Sequence, residues 1–251
     1  MSNAIVFDWD GTIVSCEEKI DLAITKLCKQ FPAIAKPYKD SVAKKTFSSG
    51  WVRKGFTASL PEDYFTYHFG IVAELIAKAK SLVIDSAWSV ILSTFTESYL
   101  EVNSRILIDL GKLYQLAEHV NLYIVSNSEI KNIKAEAKSL GIKCGVITFV
   151  GNTKKYNVAG VESSVIGISA NRPNYQATLS RLQKKHENII VVGDNFSLDL
   201  VAPIAMGISV AYVPNLLSPK IIIRYVKKNC IPHGTINDIL DILINKKGSL
   251  S

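Results

Sequence analysis

The residues best suited to chemistry are carboxylates at short spacing. Asp8-Trp9-Asp10-Gly11-Thr12 sets two acids two positions apart, directly after the apolar run Ala4–Phe7. At that spacing one side chain and one backbone carbonyl can face a common point. Gly11 allows a sharp turn, after which backbone amides can point at an anion. A second pair, Asp194 and Asp199, lies five apart in Gly193-Asp-Asn-Phe-Ser-Leu-Asp199, after the run Ile189–Val192. A few carboxylates of this kind suit a hard cation such as Mg²⁺; equally, they read as a helix N-cap with an acid in the first turn. Ser126-Asn127 follows Leu122–Val125 and offers a hydroxyl and an amide to a phosphoryl oxygen, or a cap to the next helix. Arg172, ahead of Pro173, could neutralise a nucleophile and a transferred group, or be an ordinary surface arginine.

Each acid or hydroxyl motif ends a short run rich in β-branched residues, the pattern of a strand buried on both faces. Further candidate strands are 145–150, 164–168 and 209–213, with helices expected over 129–140 and 175–185. Alternating strands and helices predict an α/β fold, a Rossmann-like parallel sheet with helices on both faces. In such a sheet ligands bind beyond the carboxyl ends of the strands, so the motifs would gather at one edge. The segment 16–95 breaks the alternation. It reads as helices over 17–31, 67–82 and 85–100, an inserted, mostly α-helical domain between two pieces of the core, 1–15 and 96–244. Residues 245–251 form a small polar tail, expected to fray.

With 251 residues, 48% hydrophobic and 20% charged, the chain has the balance of a globular protein rather than a disordered or fibrous one. Its four cysteines, Cys16, Cys28, Cys144 and Cys230, show no metal-type spacing and read as small buried hydrophobes in a reducing, cytoplasmic setting. Residues 1–12 lack a signal-peptide pattern, and the uncharged stretch 200–219 is broken by Pro203, Gly207, Pro214 and Pro219, so no membrane association is expected. The net charge of +7 is spread over Lys36, Lys39, Lys44, Lys45, Arg53 and Lys54, and later Lys220, Arg224, Lys227 and Lys228. No nucleic-acid-binding motif accompanies it, so nucleic acid is not the expected partner. The four histidines are dispersed. The aromatic group Trp51, Tyr64, Phe65, Tyr67, Phe69 and Trp88 reads mainly as core of the insertion, with a remainder free to touch a substrate.

In order and spacing, DWDGT after the first strand, SN after a later one, a basic residue before Pro, and GDxxxxD after another resemble the haloacid dehalogenase-like (HAD) hydrolase superfamily. The helical insertion resembles that family's C1-type cap. The resemblance implies phosphoryl transfer with Mg²⁺ as cofactor. Asp8 would be the nucleophile and Asp10 the acid and base. Asp8, the Asp10 carbonyl and Asp194 would hold the metal, with Asp199 close by. Ser126, Asn127, Gly11 and Thr12 would bind phosphate. The family's third motif carries Lys; here Arg172 stands in the matching context, with Lys154 or Lys155 as alternatives. An acid at Asp10 favours a phosphatase acting on a small phosphorylated metabolite over a dehalogenase. A phosphomutase, or a lapsed relative binding an acidic partner, is the alternative.

Overall fold

The computed structural model describes residues 2–46, 62–155 and 164–245. Five strands form one parallel sheet: β1 (Ser2–Phe7), β2 (Asn121–Val125), β3 (Ile147–Val150), β6 (His186–Gly193) and β7 (Ser209–Tyr212), in the order β3-β2-β1-β6-β7. Phe7 is in register with Ile124 on one side and Val192 on the other, and Gly193 with Tyr212. The strands therefore end almost level, which brings Asp8, Ser126 and Asp194 to one edge.

Alternation along the strands explains the layers. Ile5 and Phe7 of β1 join Leu122, Ile124, Ile147 and Phe149 in a buried cluster that receives α5 (Leu110–Ala117), α6 (Ile130–Ser139) and α10 (Ile236–Asn245). Ala4 and Val6 point the other way and pack with Val191, Val210 and the residues of α7 (Pro173–Gln183), α8 (Val201–Ala205) and α9 (Lys220–Lys228). The sheet is covered on both faces, as the apolar runs predict.

The insertion between β1 and β2 holds four described helices: α1 (Glu17–Gln30), α2 (Pro32–Ala43), α3 (Tyr64–Lys80) and α4 (Ile84–Ser98). No described residue from 16 to 95 is in a strand. The sequence pattern misses α2, whose Pro32 and Pro37 read as breakers; Pro32 sits in the first turn, where the missing N–H costs nothing. Helix α3 starts three residues earlier than its periodicity suggests, because Asp63 and Thr66 form a reciprocal capping box. Trp88 is wholly buried against Phe65 and Phe69, so this aromatic group is largely core; Trp51, Arg53 and Lys54 lie outside the described residues, as does the tail 246–251.

Two expectations are corrected. Residues 164–168 are not one strand: β4 (Ser164–Val165) and β5 (Ile168–Ser169) pair antiparallel in a separate hairpin. Ile166 and Gly167, at φ of 48° and 80°, make the two-residue turn with positive φ at both positions that tight hairpins use. Of the four cysteines expected to be buried only Cys16 is; Cys28 and Cys144 are half-buried and Cys230 is exposed, and all four are free thiols. Among the described residues no helix is long and apolar enough to cross a membrane. Replacing Trp88 with Ala should cost about 3–5 kcal/mol, read as a lowered midpoint in urea denaturation, since the insertion's helices meet on that ring.

Candidate functional site

The β1 strand ends at Asp8, whose amide donates to the Val192 carbonyl of β6 at 2.9 Å and so ties the loop to the sheet. The chain then turns through Gly11, at φ 87°, and a Cβ there would collide with the Asp194 carboxylate. Only glycine combines that backbone with so close an approach. Gly193 plays a similar part opposite, where a Cβ would strike the Asp199 side chain. The two glycines let separate stretches of chain bring their acids together.

Asp8, Asp194 and Asp199 each place a carboxylate oxygen within 4.8 Å of the others. Lys155, 2% exposed, reaches Asp8 Oδ1 at 2.6 Å and Asp199 Oδ1 at 2.8 Å. Burial raises the Asp8 carboxyl from its ordinary 3.8 to about 7, against the lowering effect of Lys155 and with further upward pressure from Asp199. Asp194 is raised well above the usual range by burial and then by Asp199, Asp63 and Asp8. Burial opposes charge on Lys155, but Asp199 and Asp8 together outweigh it and raise its pKa. Three acids thus stand together with one ammonium, which contacts Asp8 and Asp199. An all-oxygen donor set with more negative than positive charge fits a hard divalent cation, which would lie among Asp8, Asp194 and Asp199.

Arg172 is outside the cavity lining, within electrostatic reach of Glu62 and Asp199. It is fully buried, its guanidinium donates to the Ser169 carbonyl, and burial lowers its pKa to about 10. The cation against the acids is Lys155, and Asn127 helps put it there: its side-chain oxygen accepts from the Lys155 amide at 2.8 Å. Thr153 secures the same loop, donating from its hydroxyl to the Ser126 carbonyl at 2.8 Å. Sequence order disfavoured Lys155 because the loop after β3 carries no motif of its own. Thr12 turns inward and donates to Asp194 at 3.2 Å.

Asp10 sits in a second network that sequence reasoning missed. Its carboxylate accepts from Lys19 Nζ at 2.6 Å, from Tyr99 at 3.0 Å and from Ser128 Oγ at 3.0 Å. Lys19 is fully buried on α1, 2.8 Å from Glu136 Oε2, with the Tyr99 ring 3.9 Å from its ammonium. Trp9 donates to the same Glu136 oxygen at 2.7 Å. One signal was legible: Lys19 falls on the apolar face of α1 with Ile20, Ala23 and Leu27, an unusual place for a lysine.

The insertion also reaches the acids from above. Asp63 accepts from the Asn195 side chain, and Glu62 accepts from the Ser197 amide at 2.8 Å and from the Ser197 hydroxyl. A cavity of about 300 Å³ lies between the two parts. Asp8, Asp10, Ser126, Asn127, Asp194 and Asp199 line it from the sheet edge; Phe65, Leu92, Phe95 and Tyr99 line it from α3, α4 and the end of α4. Gly11, Thr12 and Arg172 are not among its lining residues.

Comparison with known proteins bears on this arrangement. The family model for haloacid dehalogenase-like hydrolases matches residues 3–207. Among curated proteins no match is found. Solved structures with a similar fold include a predicted phosphoglycolate phosphatase from Haemophilus somnus, with 18% identity, TM-score 0.58, and 96% of this chain and 98% of that chain covered. A protein described as a beta-phosphoglucomutase from Thermotoga maritima aligns with 13% identity, TM-score 0.57, and coverage of 98% and 99%. The HAD-hydrolase YfnB from Bacillus subtilis, bound to magnesium, aligns with 13% identity, TM-score 0.54, and coverage of 84% and 88%.

Glu62 gives this site a pH signature. Burial raises its carboxyl from 4.5 to about 7, against the lowering hydrogen bonds from Ser197. A raised folded pKa means the stability it lends is fully present below pH 4.5 and is lost as pH rises toward 7. Glu62→Gln should therefore gain on the wild type at pH 8 relative to pH 5, by on the order of 1–3 kcal/mol in paired urea titrations.

Proposed function

From the premise that this chain belongs to the haloacid dehalogenase-like hydrolase family, we propose that it is a Mg²⁺-dependent phosphatase. It hydrolyses a small phosphorylated metabolite through an aspartyl phosphate. The observation that carries this reading is the convergence of Asp8, Asp194 and Asp199 at the floor of a cavity roofed by the helical insertion, with Lys155 against Asp8 and Asp199. Residues 1–15 and 96–244 act as the catalytic core and 16–95 as its cap.

In the first half-reaction an Asp8 carboxylate oxygen attacks phosphorus, the ester P–O bond breaks, and the leaving oxygen takes a proton from Asp10. In the second, water attacks the same phosphorus while Asp10 accepts its proton, and the bond to Asp8 breaks to release phosphate. Mg²⁺, held by Asp8, the Asp10 carbonyl and Asp194 with Asp199 beside them, would offset repulsion between anionic nucleophile and anionic substrate. Ser126 holds an oxygen that is not transferred. We assign to Lys155, in place of Arg172, the cation that orients Asp8 and neutralises charge; its ammonium touches the nucleophile, whereas the Arg172 guanidinium donates to the Ser169 carbonyl. Lys19, Tyr99 and Ser128 orient Asp10 from three directions.

Purified protein should release phosphate from a monoester panel only with Mg²⁺ present. Asp8→Asn should abolish turnover with circular dichroism unchanged, and beryllium fluoride with Mg²⁺ should raise the Tm of the wild type but not of that variant. Retained activity in Asp8→Asn would remove the nucleophile from its role. Lys19→Met should lower kcat on an alkyl phosphate about tenfold more than on p-nitrophenyl phosphate, whose leaving group departs without a proton; equal losses on both would show that Lys19 acts only on the fold.

A further inference from the structure

The walls of the cavity differ in kind from its floor. At the floor stand the acids, with Lys155 behind Asp8 and Asp199 and outside the lining. From the insertion, Phe65, Leu92, Phe95 and Tyr99 give it an apolar wall, and Leu198 also belongs to the lining. Phe95 meets Phe65 edge-on at 5.4 Å between centroids, and Tyr99 edge-on at 5.8 Å, so the rings brace one another. The Tyr99 hydroxyl is already committed to Asp10.

The polar side chains around this wall do not offer a cation. Asp63 and Glu129 are acids, and Asn195 spends its amide on Asp63 and its oxygen on the Leu198 amide. Among the described residues no Lys, Arg or His lines the cavity. Against the described lining, a second anionic group on the substrate would meet apolar rings, carboxylates and neutral side chains such as Thr96, Ser128, Asn132 and Asn152, with no cation to pair it. Moving a charge from water to such a surface without a partner is costly, whereas an uncharged apolar group gains from burial there. A cavity of about 300 Å³ is at the small end of ligand sites, so the group is one ring or a short chain.

We infer that the substrate is a phosphate monoester whose organic part is small, uncharged and apolar, aryl-alkyl or short alkyl, seated on the Phe65–Leu92–Phe95–Tyr99 wall. This deepens the proposed phosphatase function and rests on it for the turnover of that substrate, although the preference in binding can be read without turnover.

Benzyl phosphate and 2-phosphoglycolate have alkoxide leaving groups, so a comparison of the two reports the wall more than the chemistry. With Mg²⁺ and the full chain, kcat/KM should favour benzyl phosphate at least tenfold, mainly through KM. The non-hydrolysable benzylphosphonate should raise Tm more than phosphonoacetate does. Leu92→Lys, at a partly exposed wall position, should raise KM for benzyl phosphate and lower it for 2-phosphoglycolate. Equal or reversed preference in both turnover and Tm, or a ratio that Leu92→Lys leaves unmoved, overturns the inference. No turnover of any ester by folded, Mg²⁺-supplied protein, with the phosphonate preference intact, would sink the phosphatase reading and leave the apolar specificity standing.

Discussion

The structure depends on one electrostatic constraint: three carboxylates, Asp8, Asp194 and Asp199, stand together with one ammonium, Lys155, against two of them, Asp8 and Asp199. Burial alone pushes acids toward the neutral form, and each added carboxylate pushes further. A single buried cation at 2.6–2.8 Å from two of them keeps the group tolerable without satisfying it. The oxygen donors left over could hold a divalent cation.

The surrounding architecture serves that constraint. Parallel pairing in the order β3-β2-β1-β6-β7 puts β1 in the middle, so that its end is flanked by those of β2 and β6. Glycines at 11 and 193 remove the Cβ atoms that would keep Asp194 and Asp199 away. Asn127 and Thr153 hold the loop after β3 so that Lys155 points back over the sheet rather than into solvent.

The helical insertion is tied to the same edge by buried polar contacts rather than by apolar area alone. Lys19 joins α1 to Asp10 and to Glu136 of α6; Glu62 and Asp63 join the start of α3 to the loop after β6. Breaking one member of such a network leaves a buried group unpaired, which is far costlier than losing a surface contact. The position of the insertion over the cavity, and with it the apolar wall, is thereby coupled to the state of the acids beneath.

How much of this was legible depends on the range of the interactions involved. Period-two and period-3.6 patterns, short apolar runs ending in Asp8, Ser126 and Asp194, and the break in alternation after residue 16 are local, and they were enough to determine the parallel sheet, a helical insertion without its α2, and the meeting of these residues at one edge. The hairpin at 164–169 and the early start of α3 turn on local devices too, a two-residue turn and a capping box that a strand or helix pattern hides. The choice between Lys155 and Arg172 was of another kind. Both are cations near the ends of candidate elements, and only the packing of the β3 loop against Asn127 decides which one meets Asp8, while Arg172 folds back on Ser169. The same holds for Lys19, Tyr99 and Glu136 around Asp10, and for Glu62 and Asp63 over Asn195 and Ser197. These partners are separated by up to 135 residues in the chain, so no spacing rule links them; tertiary structure alone sets charge against charge across that distance.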